Sequence, residues 1–144
     1  MSKFPIQFYS DEVEYNLEHE EVLKGWLREI IDAEGGAAES LTYVFCSDSR
    51  LNEINLKYLK TNRLTDVIAF DLSADDNIQG EIYISVERIA ENAQLFNSTA
   101  QEEMHRVMAH GLLHLLGYRD KRDEQKAEMT VKEDLYLSLL SEKI

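Results

Sequence analysis

Residues 108–120 read Met-Ala-His-Gly-Leu-Leu-His-Leu-Leu-Gly-Tyr-Arg-Asp. His110 and His114 stand four apart in a run that is otherwise apolar nearly all round, with Met104, Val107, Met108, Leu112, Leu113, Leu115 and Leu116. A helix of that composition belongs in a core. The i,i+4 spacing puts both imidazoles on one face, with Cβ atoms about 6 Å apart. Two buried neighbouring histidines suffer desolvation and, when protonated, mutual repulsion, and a shared metal ion removes both problems. Gly117 is a natural left-handed helix stop. It lets the chain fold back so that Asp120, six residues after His114, can supply a third ligand. A lone H-x-x-x-H pair also arises from two separately hydrogen-bonded histidines. The glycine stop and the carboxylate beyond it favour the metal. Zinc proteases of the H-E-x-x-H type carry their general base directly after the first histidine. That position is Gly111, which removes the protease reading. His105, on the opposite face of the same helix, and His19, in an acidic segment, are expected at the surface or in caps.

Working outward, Phe4–Tyr9 reads as a strand and Glu18–Ala33 as an amphipathic helix carrying Val22, Leu23, Trp26, Leu27, Ile30 and Ile31. Gly35-Gly36 ends that helix. Leu41–Cys46 is a strand, and Ser47 or Asp48 caps a helix to about Leu59. Asp66–Leu72 and Gly80–Ser85 are strands around a turn at Asp75–Asn77. They are too close for a helical crossover and therefore pair antiparallel. Ser85 caps a helix through about Phe96. Ser98 or Thr99 caps the histidine helix, with Glu102 and Glu103 in its first turn. A last helix covers about Asp123–Leu140. This order predicts an α/β (α+β) single-domain sandwich over residues 1–144, with a small mixed four-stranded sheet and a zincin-like metal helix. Trp26, Tyr43 and Tyr83 are expected in the core rather than as stacking platforms for bases.

The chain has 144 residues and a formal net charge of −13. That charge argues against a general nucleic-acid binder. It is unevenly spread: residues 1–40 carry ten acids against Lys3, Lys24 and Arg28, whereas 46–64 and 105–126 are each locally positive. Lys57, Lys60, Arg63, Arg119 and Arg122 in those segments form a candidate phosphate footprint. No apolar run is long enough to span a membrane, and no signal peptide is visible at the start. The single cysteine, Cys46, excludes a multi-cysteine zinc site and suits a reducing cytoplasm.

The run His110-Gly-Leu-Leu-His-Leu-Leu-Gly-Tyr resembles the H-G-x-L-H-L-x-G-Y-D-H signature of the YbeY family, bacterial endoribonucleases of ribosomal RNA maturation. Thr65-Asp-Val-Ile-Ala-Phe70 resembles that family's T-D-V-L-S-F strand, and Gly80-Glu-Ile-Tyr-Ile-Ser85 its G-D-I-x-I-S strand. Ile54-Asn55 and Tyr58 match an upstream L-N and Y. The resemblance runs in order from about Leu51 to Glu133, and the N-terminal third matches only in layout.

The resemblance implies an α/β sandwich and metal-dependent cleavage of single-stranded RNA. It also implies roles in maturing the 3′ end of small-subunit ribosomal RNA and in ribosome quality control. One zinc ion is the implied cofactor. The implied partners are ribosomal RNA and the small ribosomal subunit, with room for a ribosomal protein or a GTPase and none for a membrane. Among the departures from the family pattern, two stand at the position of a family ligand and of a family arginine. Asp120 stands where the family has a third histidine ligand, and Leu59 stands where it has an arginine. Lys60, Arg63 and Arg119 are the substitute candidates for holding phosphate, and no catalytic side chain is assigned. Asp66 reads equally well as an orienter of a metal-bound histidine and as a strand-start acid. Two rival readings remain: a non-catalytic ribosome assembly factor with a structural metal, and a two-histidine, one-carboxylate iron oxygenase.

Overall fold

The computed structural model describes residues 5–59, 65–74 and 77–144. The elements are β1 (Ile6–Ser10), α1 (Glu20–Ala33), β2 (Ala38–Cys46), α2 (Asp48–Ile54), β3 (Val67–Asp71), β4 (Ile78–Ser85), α3 (Val86–Leu95), α4 (Ala100–Leu115) and α5 (Asp123–Ser141). The strands lie in the order β1-β2-β4-β3. The β1/β2 and β2/β4 pairs are parallel and β3/β4 is antiparallel, as the short β3–β4 connection requires. The predicted sandwich with a mixed four-stranded sheet is thus the observed one.

Alternation along the strands sends Leu41, Tyr43, Phe45, Ile82 and Ile84 to one face, where they meet α1, α4 and α5. α1 contributes Leu23, Trp26, Leu27, Ile30 and Ile31, all at most 1% exposed. The polar ends of the buried aromatics are satisfied. Trp26 Nε1 donates to the Tyr136 carbonyl at 2.7 Å, and the Tyr43 hydroxyl donates to the Met108 carbonyl at 2.8 Å. On the other face α2 covers a smaller cluster of Cys46, Leu51, Ile54 and Ile68. Half-buried Tyr83 packs there against Phe70, edge to face, so it belongs to this outer layer and not to the main core.

The caps follow the sequence signals. Ser47 accepts from the Arg50 amide, Ser85 from the Arg88 amide, and Thr99 and Glu102 form a reciprocal capping box. Beyond Ile54 the predicted helix continues, but Asn55–Leu59 widen into a π turn. α4 is the hub: it packs on β3 and β4 and is flanked by α3 and α5. α1 and α4 end alike. Gly35 and Gly117 have φ of +74° and +107°, and in both helices the amides beyond the end return to carbonyls of the last turn in a Schellman pattern.

His105 corrects the sequence expectation. It is 4% exposed, edge-on to Trp26, because α4 is covered on that side as well. Burial pushes its pKa down to about 4, so the ring is neutral. His19 is exposed and sits at the α1 N-cap position, without a side-chain cap bond.

Gly111 sits where α4 touches the sheet. A Cβ there would lie 2.9 Å from Ile82 Cγ2 and 3.2 Å from Ile82 Cδ1, so the close approach that excludes a protease glutamate is also a packing requirement. Gly111→Ala is expected to cost about 1–3 kcal/mol through overpacking, despite its better helix propensity. Urea unfolding checks this, and an alanine variant as stable as the parent would show that Ile82 can give way.

Candidate metal centre

α4 carries His110 and His114 one turn apart, with His110 beside Glu133 of α5, and the turn after Gly117 brings Asp120 back to both rings. His110 Nε2 lies 2.9 Å from His114 Nε2. Asp120 Oδ2 lies 3.3 Å from the first and 3.4 Å from the second. The three side chains are 21%, 30% and 40% exposed, so the cluster is held on one side and open on the other.

The remaining ring nitrogens are committed. His114 Nδ1 donates to the Tyr118 carbonyl at 3.0 Å, and a carbonyl can only accept. His110 Nδ1 donates to Glu133 Oε2 at 2.7 Å. Neutral imidazoles held this way turn both Nε2 lone pairs inward, towards the Asp120 carboxylate. Three acceptors within 4.8 Å of one another need a cation or a proton between them. Ligands at zinc distances in a tetrahedron are spaced roughly 3.2–3.6 Å apart. The two carboxylate–imidazole spacings fall in that range, and the imidazole pair is slightly closer. The residues fit a divalent metal.

The same surroundings act on the two rings in opposite directions. Burial alone would lower the His110 pKa, but the Glu133 hydrogen bond and charge, with Asp120 and Asp66, outweigh it and raise the value. Burial and the neighbouring His110 charge lower the pKa of His114.

Glu133 is the site residue that the sequence reading missed. It lies on the buried stripe Met129, Glu133, Tyr136, Leu140 of α5. A charged residue on an apolar stripe was the available signal. Its other oxygen accepts from Arg106 at 2.9 Å, and Arg106 also reaches Asp134 at 2.7 Å. Asp66 accepts from Asn92 at 3.3 Å and faces His110 only through its charge, so Glu133 and not Asp66 orients that ring. Burial raises the Asp66 pKa, partly offset by His110.

Behind His114 stands a second acid. Glu34, at the end of α1, accepts from the Tyr118 hydroxyl at 2.6 Å, from Tyr136, and from Lys132 at 3.1 Å. Those bonds pin Tyr118, whose carbonyl holds His114. Arg119 lines a cleft of about 560 Å³ with Glu34, Tyr118, Arg122 and Glu128, and none of the three converging residues lines it. Lys57 is exposed, its Nζ 5.3 Å from the Tyr58 ring centre. Lys60 and Arg63 lie outside the described residues.

Residues 6–141 match the family described as Endoribonuclease YbeY. The chain belongs to the YbeY family. Relatives named Endoribonuclease YbeY include one from Cytophaga hutchinsonii, 42% identical over 96% of this chain and 98% of its own. Another, from Flavobacterium psychrophilum, is 43% identical over 91% of this chain and 94% of its own. The solution structure of a Thermotoga maritima protein superimposes with a TM-score of 0.67 at 29% identity, over 96% of this chain and 91% of that one. The match extends the resemblance back through the N-terminal third, where sequence motifs had shown only layout. Glu34 lies in that third.

Glu34 offers a test of the frame that is independent of metal. Burial raises its pKa, but the Tyr118, Tyr136 and Lys132 bonds outweigh this and lower it. A depressed carboxylate pKa contributes stability above the unfolded value of about 4.3, and that stability is lost as pH falls through the folded value. Glu34→Gln is therefore expected to cost about 1–3 kcal/mol at neutral pH. The gap to the parent should close on acidification, measured by urea unfolding of metal-free protein across that range. A gap independent of pH would remove the charge from the explanation.

Proposed function

We propose that this chain is a metal-dependent endoribonuclease acting on single-stranded ribosomal RNA, with one zinc ion held by His110, His114 and Asp120. The observation that carries the reading is the set of three inward-facing acceptors, whose outer nitrogens are already bound to Glu133 and to the Tyr118 carbonyl. The name shared by its relatives supplies the reaction class. The ion would supply Lewis-acid polarisation of a phosphoryl oxygen and a more acidic bound water.

The chain's own groups do the rest. Glu133 and the Tyr118 carbonyl hold the imidazoles in the tautomer that leaves Nε2 free. Asp120 adds a negative charge where the family signature has a neutral imidazole, which makes a bound water less acidic. Arg119 and Arg122, together with Lys60 and Arg63 on the segment leading into Thr65, are the proposed phosphate contacts. The net charge of −13 repels free RNA, so binding should be weak at a distance and steeply salt-dependent. A partner on the small ribosomal subunit would concentrate the enzyme on its substrate. Processing of the small-subunit RNA 3′ end, ribosome quality control, a cytoplasmic location and a single domain over 1–144 complete the proposal. Among the described residues no helix is long and apolar enough to cross a membrane.

Leu59 favours the second reading, a ribosome assembly factor that keeps the metal without cleaving, because the family signature has arginine there. Zinc-loaded protein incubated with single- and double-stranded ribosomal RNA fragments separates the two. Cleavage of single strands, abolished by chelation and by His114→Ala and restored by zinc only in the parent, is expected. Full zinc occupancy with no cleavage would establish the assembly factor instead. Asp120→His is expected to keep the metal and raise the cleavage rate near neutral pH. Loss of metal from that folded variant would contradict the ligand role of position 120.

A further inference from the structure

The supports behind the two histidines are unequal. His114 leans on a neutral carbonyl at 3.0 Å, and His110 leans on a carboxylate at 2.7 Å. The Glu133 side chain is only 9% exposed. A carboxylate is rarely buried on an apolar stripe unless it is partnered, and Arg106 on Oε1 would by itself provide a partner. Arg106 in turn has a second partner in Asp134 and does not depend on Glu133 for its own pairing. The bond from Oε2 to His110 is therefore more than the pair's stability demands. It fixes the ring so that Nε2 faces His114 and Asp120.

We propose that Glu133 is a positioning residue that sets the metal affinity of this site, acting through His110. This rests on the reading that His110, His114 and Asp120 hold a metal ion. Glu133 lies on the far side of the ring from the other two converging residues and contacts His110 by Nδ1 alone. Its effect is twofold. It removes the tautomer in which Nε2 carries the proton, and its negative charge strengthens the imidazole as an electron-pair donor. Two carboxylates would then act on a bound divalent ion, Asp120 as a ligand and Glu133 through the His110 imidazole. Arg106 keeps the Glu133 carboxylate from swinging away. Asp66 acts on the ring through its charge, while its Oδ2 accepts from Asn92 at 3.3 Å.

Apparent zinc dissociation constants, measured on the full chain by competition with a chromogenic chelator, test this in the parent, Glu133→Ala and Glu133→Gln. Glu133→Ala should weaken zinc on the order of 10–100-fold. Glu133→Gln keeps an acceptor for the Nδ1 proton but no charge, and should fall between the two. Visible spectra of the cobalt(II)-loaded proteins should shift between the parent and Glu133→Ala, a change that a purely structural role would not produce. A change in affinity under about threefold in folded Glu133→Ala overturns the proposal, since loss of such a partner ordinarily costs far more. Where Glu133→Ala does not fold, Glu133→Gln decides by the same threshold. A parent that binds no zinc overturns the metal reading and this one together. A parent that binds tightly, with an unaffected variant, overturns this one alone.

Discussion

Three electron-pair donors face one another across 2.9–3.4 Å at the end of α4, and the surrounding structure serves to hold them there. Left alone, such groups would turn apart or bind separate waters. They are kept together because each imidazole is anchored from behind and because Gly117 bends the chain so that Asp120 returns over the helix end. The cost of that juxtaposition is electrostatic. A divalent cation that all three donors could share would relieve it.

The anchors come from distant parts of the chain. Glu34 closes α1, and Tyr118 follows the stop of α4. Those two helix ends abut, for a Cβ on Gly36 would lie 2.9 Å from Leu116 Cδ2. α5 ties both arms at once: Lys132 and Tyr136 bind Glu34 behind His114, while Glu133 binds His110. The core beneath is ordinary close-packed apolar surface. Its function at the site is to make α4 unable to shift, since Gly111 lets the helix approach Ile82 more closely than a side chain would allow.

Much of this was legible in the sequence, and the reasons are local. Period and caps placed every described helix and strand to within a few residues, because Ser47, Ser85, Thr99, Gly35 and Gly117 each act on their own neighbours. The antiparallel β3/β4 pair followed from loop length alone. The histidine pair and Asp120 were readable because i,i+4 spacing and a glycine stop act over one or two turns. Glu133 and Glu34 were not, since each acts on residues 23 and 84 positions away and only tertiary packing brings them close. His105 was misjudged for the same reason: it lies roughly opposite the His110 face and was expected outside, but Trp26 from α1 covers it.

Charge sets the terms on which such a site works. The body is acidic, and a site of two imidazoles and the Asp120 carboxylate would compete for metal with many exposed acids that hold ions only loosely. X-ray absorption at the zinc edge of the zinc-loaded full chain distinguishes the two kinds of binding directly. Two imidazole nitrogens at about 2.0–2.1 Å and carboxylate or water oxygen at about 2.0–2.2 Å, for one ion per chain, are the predicted shell. A shell of oxygens without imidazole scattering would place the ion on the acidic surface and contradict the metal centre.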